Sequence, residues 1–103
     1  NRDLASVIRQ HSGGRPALVF CATKRACETA AKAIAAEAGF LQVADGRLRT
    51  HLQEQAQRAA DPGLRQLLPR GIAVHHAGLA PPDRGLVSEL FLREAVSVLF
   101  CTQ

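Results

Sequence analysis

The sequence predicts an α/β fold, a parallel sheet flanked by helices and incomplete as it stands. Two patterns carry that expectation. Apolar runs of strand length, at residues 17–21, 72–75 and 95–101, alternate with segments of helical spacing, and such alternation implies right-handed crossovers between parallel strands. Each run also closes in small or polar residues: Ala22-Thr23-Lys24-Arg25 after the first, His76-Ala77-Gly78 after the second and Thr102 after the third. These ends fall on the carboxyl edge of a parallel sheet, where α/β folds bind ligands.

The elements follow in order. Leu4, Val7 and Ile8 recur at helical spacing over residues 3–11, and Ser12-Gly13-Gly14 stops that segment. Pro16 leads into the first apolar run, whose shortness and preceding Gly/Pro favour a buried strand. Thr23 can cap the next helix, with Glu28 in its first turns. Ala26, Ala30, Ala31, Ile34 and Ala38 form a small-residue stripe over residues 24–38, a face that lets a helix lie close on a sheet, and Gly39 ends it. Residues 40–60 are less regular. Leu48, Leu52, Gln55 and Ala59 permit an amphipathic helix with a thin apolar stripe, so residues 40–70 read as a surface insertion followed by a short helix. That helix starts at Asp61-Pro62, an N-cap with proline at the first helical position. Leu64, Leu67 and Leu68 give its buried side, and Pro69 and Gly71 close it. Pro81-Pro82 opens a last helix to about residue 93, with Leu86, Val87, Leu90 and Phe91 inward. Residues 95–101 form the third strand, apolar throughout except Ser97. A three-stranded parallel sheet with no covering helix after its last strand is poorly protected, so the chain reads as part of a larger domain.

Composition bounds the function classes. A chain of 103 residues is one domain at most. The formal charge of +4 suits a polyanionic partner, although small basic proteins carry such an excess without one. No apolar run approaches the ~18 residues of a membrane span, and no signal segment opens the chain, so no membrane partner is expected. Cys21, Cys27 and Cys101 make an odd number without a Cys-x-x-Cys pair, which favours reduced intracellular thiols. Four Phe and no Trp or Tyr argue against a base-stacking platform.

Cys21, at a strand end before a helix, has the position of a phosphatase-type nucleophile. The arginine that would complete a Cys-x5-Arg anion cradle is replaced by Cys27. His75 and His76 are consecutive and point to opposite faces of a strand, so they cannot chelate one metal, and no metal site is expected. Gly78, just past a strand end, can take a positive φ and admit a close backbone approach. Arg25 and Arg84 each lie near the start of a helix that follows a strand end. With Thr23, Gly78 and Thr102 they form a row of donors suited to phosphate. The chain has no Gly-x4-Gly-Lys-[Ser/Thr] loop, no Gly-x-Gly-x-x-Gly and no acidic pair for Mg²⁺. No catalytic residue and no cofactor are expected within it, and by itself it should not hydrolyse a nucleotide.

These residues carry a family likeness. Leu18-Val19-Phe20-Cys21-Ala22-Thr23-Lys24-Arg25 resembles motif IV of superfamily 2 helicases. Gly71-Ile72-Ala73-Val74-His75-His76-Ala77-Gly78-Leu79, with Asp83-Arg84 after it, resembles the histidine-glycine block of the Ski-like branch, and Val98-Leu99-Phe100-Cys101-Thr102 the opening of motif V. Within that branch the wording is most like the meiotic crossover and theta-polymerase-type DNA helicases. The resemblance implies a partial second RecA-like domain truncated after the start of motif V: residues 16–39 the motif IV strand and helix, 40–70 the insertion and short helix, 71–103 the histidine-glycine block to motif V. It implies an ATP-dependent DNA (or RNA) helicase as the parent protein, nuclear if eukaryotic and acting in meiosis or DNA repair. Its partners would be single-stranded or partly duplex nucleic acid, DNA favoured, and the first RecA-like domain of the same chain, with ATP and Mg²⁺ bound by the parent. By the same resemblance Ala22, Thr23, Arg25, Gly78, Arg84 and Thr102 would meet the sugar-phosphate backbone, with His76 and Asp83 supporting the loop. Two other readings stand beside it: a non-catalytic module that binds nucleic acid or protein, and a small thiol enzyme centred on Cys21.

Overall fold

The computed structural model describes residues 16–36 and 45–102. The helix expected over 3–11 and its Ser12–Gly14 stop lie outside these residues, as do Ala38, Gly39 and residues 40–44. Within them the order is β1 (Ala17–Phe20), α1 (Lys24–Ala36), α2 (Gly46–Ala56), α3 (Pro62–Leu67), a 3₁₀ turn (Leu68–Arg70), β2 (Ile72–His75), α4 (Pro81–Leu92) and β3 (Val98–Cys101). All pairing is parallel and β3 lies in the middle, in the order β1-β3-β2. Val98 is level with Ala17 on one side and Ile72 on the other; Cys101 is level with Phe20 and His75.

Strand alternation divides the sheet into two faces. Val98 and Phe100, both fully buried, share one face with Val19, Ile72 and Val74. Against it lies α1, buried through Cys27, Ala31 and Ile34, one residue from each successive turn. On the other face α4 buries Leu86, Val87 and Leu90. There the edge strand β1 leaves Leu18 45% and Phe20 60% exposed.

The segment read as a surface insertion contributes to the core. Asp45 caps α2 through Oδ1, which accepts the Arg47 and Leu48 N–H groups at 2.9 and 3.3 Å. Leu52 and Ala56 of α2 are buried in the same cluster as Leu64 and Leu68. The stripe is thin because Leu52 and Ala56 are its buried side chains, with Leu48 packed partly against the core, yet Leu52 is fully enclosed. At α3 the Asp61 Oδ2 accepts the Leu64 N–H at 3.0 Å, and Pro62 occupies the first turn. Gly71, with φ 78°, turns the chain from the 3₁₀ turn into β2 in the left-handed region.

Strand β3 is shorter than the apolar run that contains it. After α4, Glu94 N–H returns to Phe91 O and Ala95 N–H to Leu90 O, both at 2.9 Å, a Schellman closure. Ala95 and Val96 are therefore buried as part of a helix exit rather than of a strand. Glu94 takes the left-handed position at φ 58°, one that glycine fills without strain. No helix among the described residues is long and apolar enough to cross a membrane.

Leu52→Ala should destabilise the chain by about 2–5 kcal/mol in urea melts, whereas Leu92→Ala, at a position 81% exposed, should cost almost nothing. Equal effects would show that α2 is not part of the core. Glu94→Gly should raise stability by roughly 1 kcal/mol by removing the left-handed strain, and a loss of stability would mean that the Glu94 side chain compensates for it.

Candidate functional site

Because the strands are parallel, their three carboxyl ends lie side by side. Cys21 N–H donates to Cys101 O at 2.7 Å, and Thr102 N–H to His75 O at 3.3 Å. These bonds tie the residues following β1, β3 and β2 into one continuous edge. Ala22, Thr23, Arg25 and Gly78 are exposed on it, and Thr102 is half-buried. Helices α1 and α4 both begin here, so the partial positive charge of their first turns faces the edge. Thr23 caps α1: its Oγ1 accepts the Ala26 N–H at 3.0 Å and its carbonyl the Cys27 N–H. Its hydroxyl hydrogen therefore remains able to donate.

The loop after β2 is shaped by His76. Its side chain is 5% exposed. Nδ1 accepts the Gly78 N–H at 3.0 Å, Nε2 lies 3.1 Å from Glu28 Oε2 on α1, and the His76 carbonyl accepts the Leu79 N–H. His75 points to the opposite face, where Nε2 shares a 3.2 Å hydrogen bond with Ser88 Oγ of α4. Two consecutive histidines thus pin the loop to the helices on either side of the sheet.

Gly78 is needed for space, not for a positive φ. Among the described residues the left-handed glycine is Gly71. A Cβ on Gly78 would stand 3.1 Å from His76 Cε1 and Nδ1 and 3.3 Å from Lys24 Cδ, tighter than ordinary contact. The loop is glycine here because an imidazole and a lysine stem close over it. The Gly78 amide is turned inward to His76, so an incoming group would meet Gly78 by close approach and not through this N–H.

Asp83 and Arg84 sit in the first turn of α4. The Asp83 carboxylate, 2% exposed, accepts the Ala60 N–H on Oδ1 and the Asp61 N–H on Oδ2, both at 2.9 Å. It therefore supports the turn before α3, not the His76–Gly78 loop. Arg84 is half-buried, and its backbone N–H bonds to Ala80 O.

The three thiols gather under the same edge, and all are free. Burial, with Cys21 close by, pushes the Cys27 thiol up to about 12. Burial and then Cys21 also raise Cys101. A thiol held protonated in the place of the cradle arginine offers an anion no charge. No cluster of three metal-capable side chains converges among the described residues.

Local sequence pattern does not mark Glu28 and Lys24 as site residues. Glu28 is a polar residue on a helix flank, and its partner lies 48 positions away, beyond any spacing rule. Lys24 stands beside Thr23 in the strand-end motif, which was the available signal.

No protein-family model matches the chain. It is 38% identical over 102 residues to the probable ATP-dependent DNA helicase HFM1 of Homo sapiens, covering 99% of this chain and 7% of that protein. It is 34% identical over 101 residues to the ATP-dependent DNA helicase MER3 homolog of Oryza sativa subsp. japonica, covering 93% and 8%. To the RQC trigger complex helicase SLH1 of Saccharomyces cerevisiae it is 31% identical over 109 residues, covering 99% and 5%. The chain thus spans less than a tenth of the length of these relatives.

Asp83→Ala should cost about 1–3 kcal/mol for each of the two backbone N–H groups left without an acceptor, read by urea melts; a neutral result would mean that water replaces the carboxylate. The Cys27 thiol stays protonated in the fold while an unfolded thiol ionises from its ordinary 9.0. The unfolded chain then binds fewer protons, so stability falls as pH rises from 9 toward about 12. Cys27→Ala should flatten that fall, and an unchanged slope would assign it to other groups.

Proposed function

This chain belongs to the Ski-like superfamily 2 helicases, and from that premise we propose that it is the strand-contacting part of the second RecA-like domain of an ATP-dependent helicase. The observation that carries this reading is the continuous carboxyl edge, where three strand ends and two helix N-termini meet. Ala22 and Thr23 offer amides, Thr23 and Thr102 offer hydroxyls, Arg25 and Arg84 offer charge, and the tightly closed Gly78 turn lets a backbone lie against it. Such donors read phosphate, which every sequence shares, and so suit a motor that moves along any strand. DNA is the favoured strand, in keeping with the DNA helicases among the relatives. ATP and Mg²⁺ would be held by the first RecA-like domain of the parent, against which this domain closes. A nuclear parent working in meiotic recombination or repair accords with the motif wording.

The test is the binding of the 103-residue chain to a fluorescent single-stranded oligonucleotide across a salt series. Arg84→Ala should weaken binding and reduce the slope of log K against log salt by about 0.7, one phosphate contact on a single strand. Gly78→Val should weaken binding by crowding His76 and Lys24 off their positions, and added ATP should change nothing. Absence of salt-dependent binding, or an unaltered slope in Arg84→Ala together with unaltered affinity in Gly78→Val, would overturn the reading.

A further inference from the structure

We propose that Glu28 is a positioning residue for the strand-contacting loop: it orients the His76 ring so that Nδ1 is presented as an acceptor to the Gly78 amide. The inference rests on the reading that this loop meets the strand. A backbone N–H can only donate, so the Gly78 contact at 3.0 Å requires a bare lone pair on Nδ1. A neutral imidazole then carries its single hydrogen on Nε2. Nε2 faces Glu28 Oε2 at 3.1 Å, and an ionised carboxylate can only accept. Both contacts therefore demand the same tautomer and the same ring orientation, the arrangement by which one partner of a histidine sets what the other nitrogen does.

The ring is almost enclosed, and both of its nitrogens are engaged by protein partners. The opposite tautomer would set Nδ1–H against the Gly78 N–H, two donors face to face. The Glu28 side chain is 45% exposed, so its substitution removes the hydrogen bond without opening the core. It reaches from the second turn of α1, and Thr23 caps the start of the same helix. The motif IV helix and the histidine-glycine loop are thereby coupled through one imidazole. Lys24, whose stem also borders Gly78, closes the loop from the same helix.

The experiment compares wild type, Glu28→Ala and Glu28→Gln at pH 8. It reads the His76 ring ¹⁵N resonances, Gly78 amide exchange and affinity for a single-stranded oligonucleotide. Wild type should show an acceptor-type Nδ1 and a protonated Nε2, clearly split. Glu28→Ala should narrow that split, accelerate Gly78 exchange and weaken strand binding roughly fivefold, the loss of a partly exposed hydrogen bond. Glu28→Gln keeps an amide oxygen for Nε2–H and should restore all three. Because both variants lose the charge, their difference isolates the hydrogen bond. An unchanged split in Glu28→Ala would overturn the proposal, whatever the affinity does. A narrowed split with unchanged affinity would uphold Glu28 as the positioning residue of the loop and remove that loop from the strand-contact reading.

Discussion

The placement of β3 between β1 and β2 is the constraint on which the rest depends. Its backbone supplies hydrogen bonds on both sides, and its side chains at Val98 and Phe100 fill the centre of the core. Because β3 follows both of its neighbours in sequence, the crossover from β1 to β2 must leave a gap that β3 later fills. That ordering brings Ala22, Thr102 and His76 together although they are scattered over eighty positions of sequence. It also directs α1 and α4 to opposite faces, so that their N-termini reach one edge from above and below.

On that edge the chemistry is one of donors held in place. Thr23 is fixed by capping α1, the Gly78 turn by His76, and Thr102 by its bond to the carbonyl of His75. Few of the contacts involve formal charge within the site, and burial raises the Cys27 and Cys101 thiols beneath it. Donors of this kind suit a repeating anionic backbone, which they would hold without reading its sequence.

Much of this was readable in the amino-acid order. The strands announced themselves by length and by their Gly/Pro flanks, and Asp61-Pro62 gave the start of α3 because a capping carboxylate and a fixed proline φ act locally. Other features depend on distant partners. Leu52 looked like part of a weak stripe, since only the folded chain shows Leu64 and Leu68 around it. Ala95 and Val96 looked like strand because burial and apolarity are shared by a Schellman exit. Gly78 suggested a backbone conformation, whereas its absent Cβ makes room for an imidazole. Asp83 suggested a loop contact and instead receives two amides from a turn more than twenty residues upstream. Local rules find caps and periods; they do not find which side chain closes over which turn.

The central claim is that the three strand ends form one surface for a nucleic-acid backbone. Its most direct test is a map of backbone amide shifts in the ¹⁵N-labelled chain as a short single-stranded oligonucleotide is added. The account predicts that residues 22–25, 77–79 and 102 shift together along a single binding curve, while α2 stays still. Shifts confined to α2, or to the exposed Leu18 and Phe20 face of β1, would contradict it.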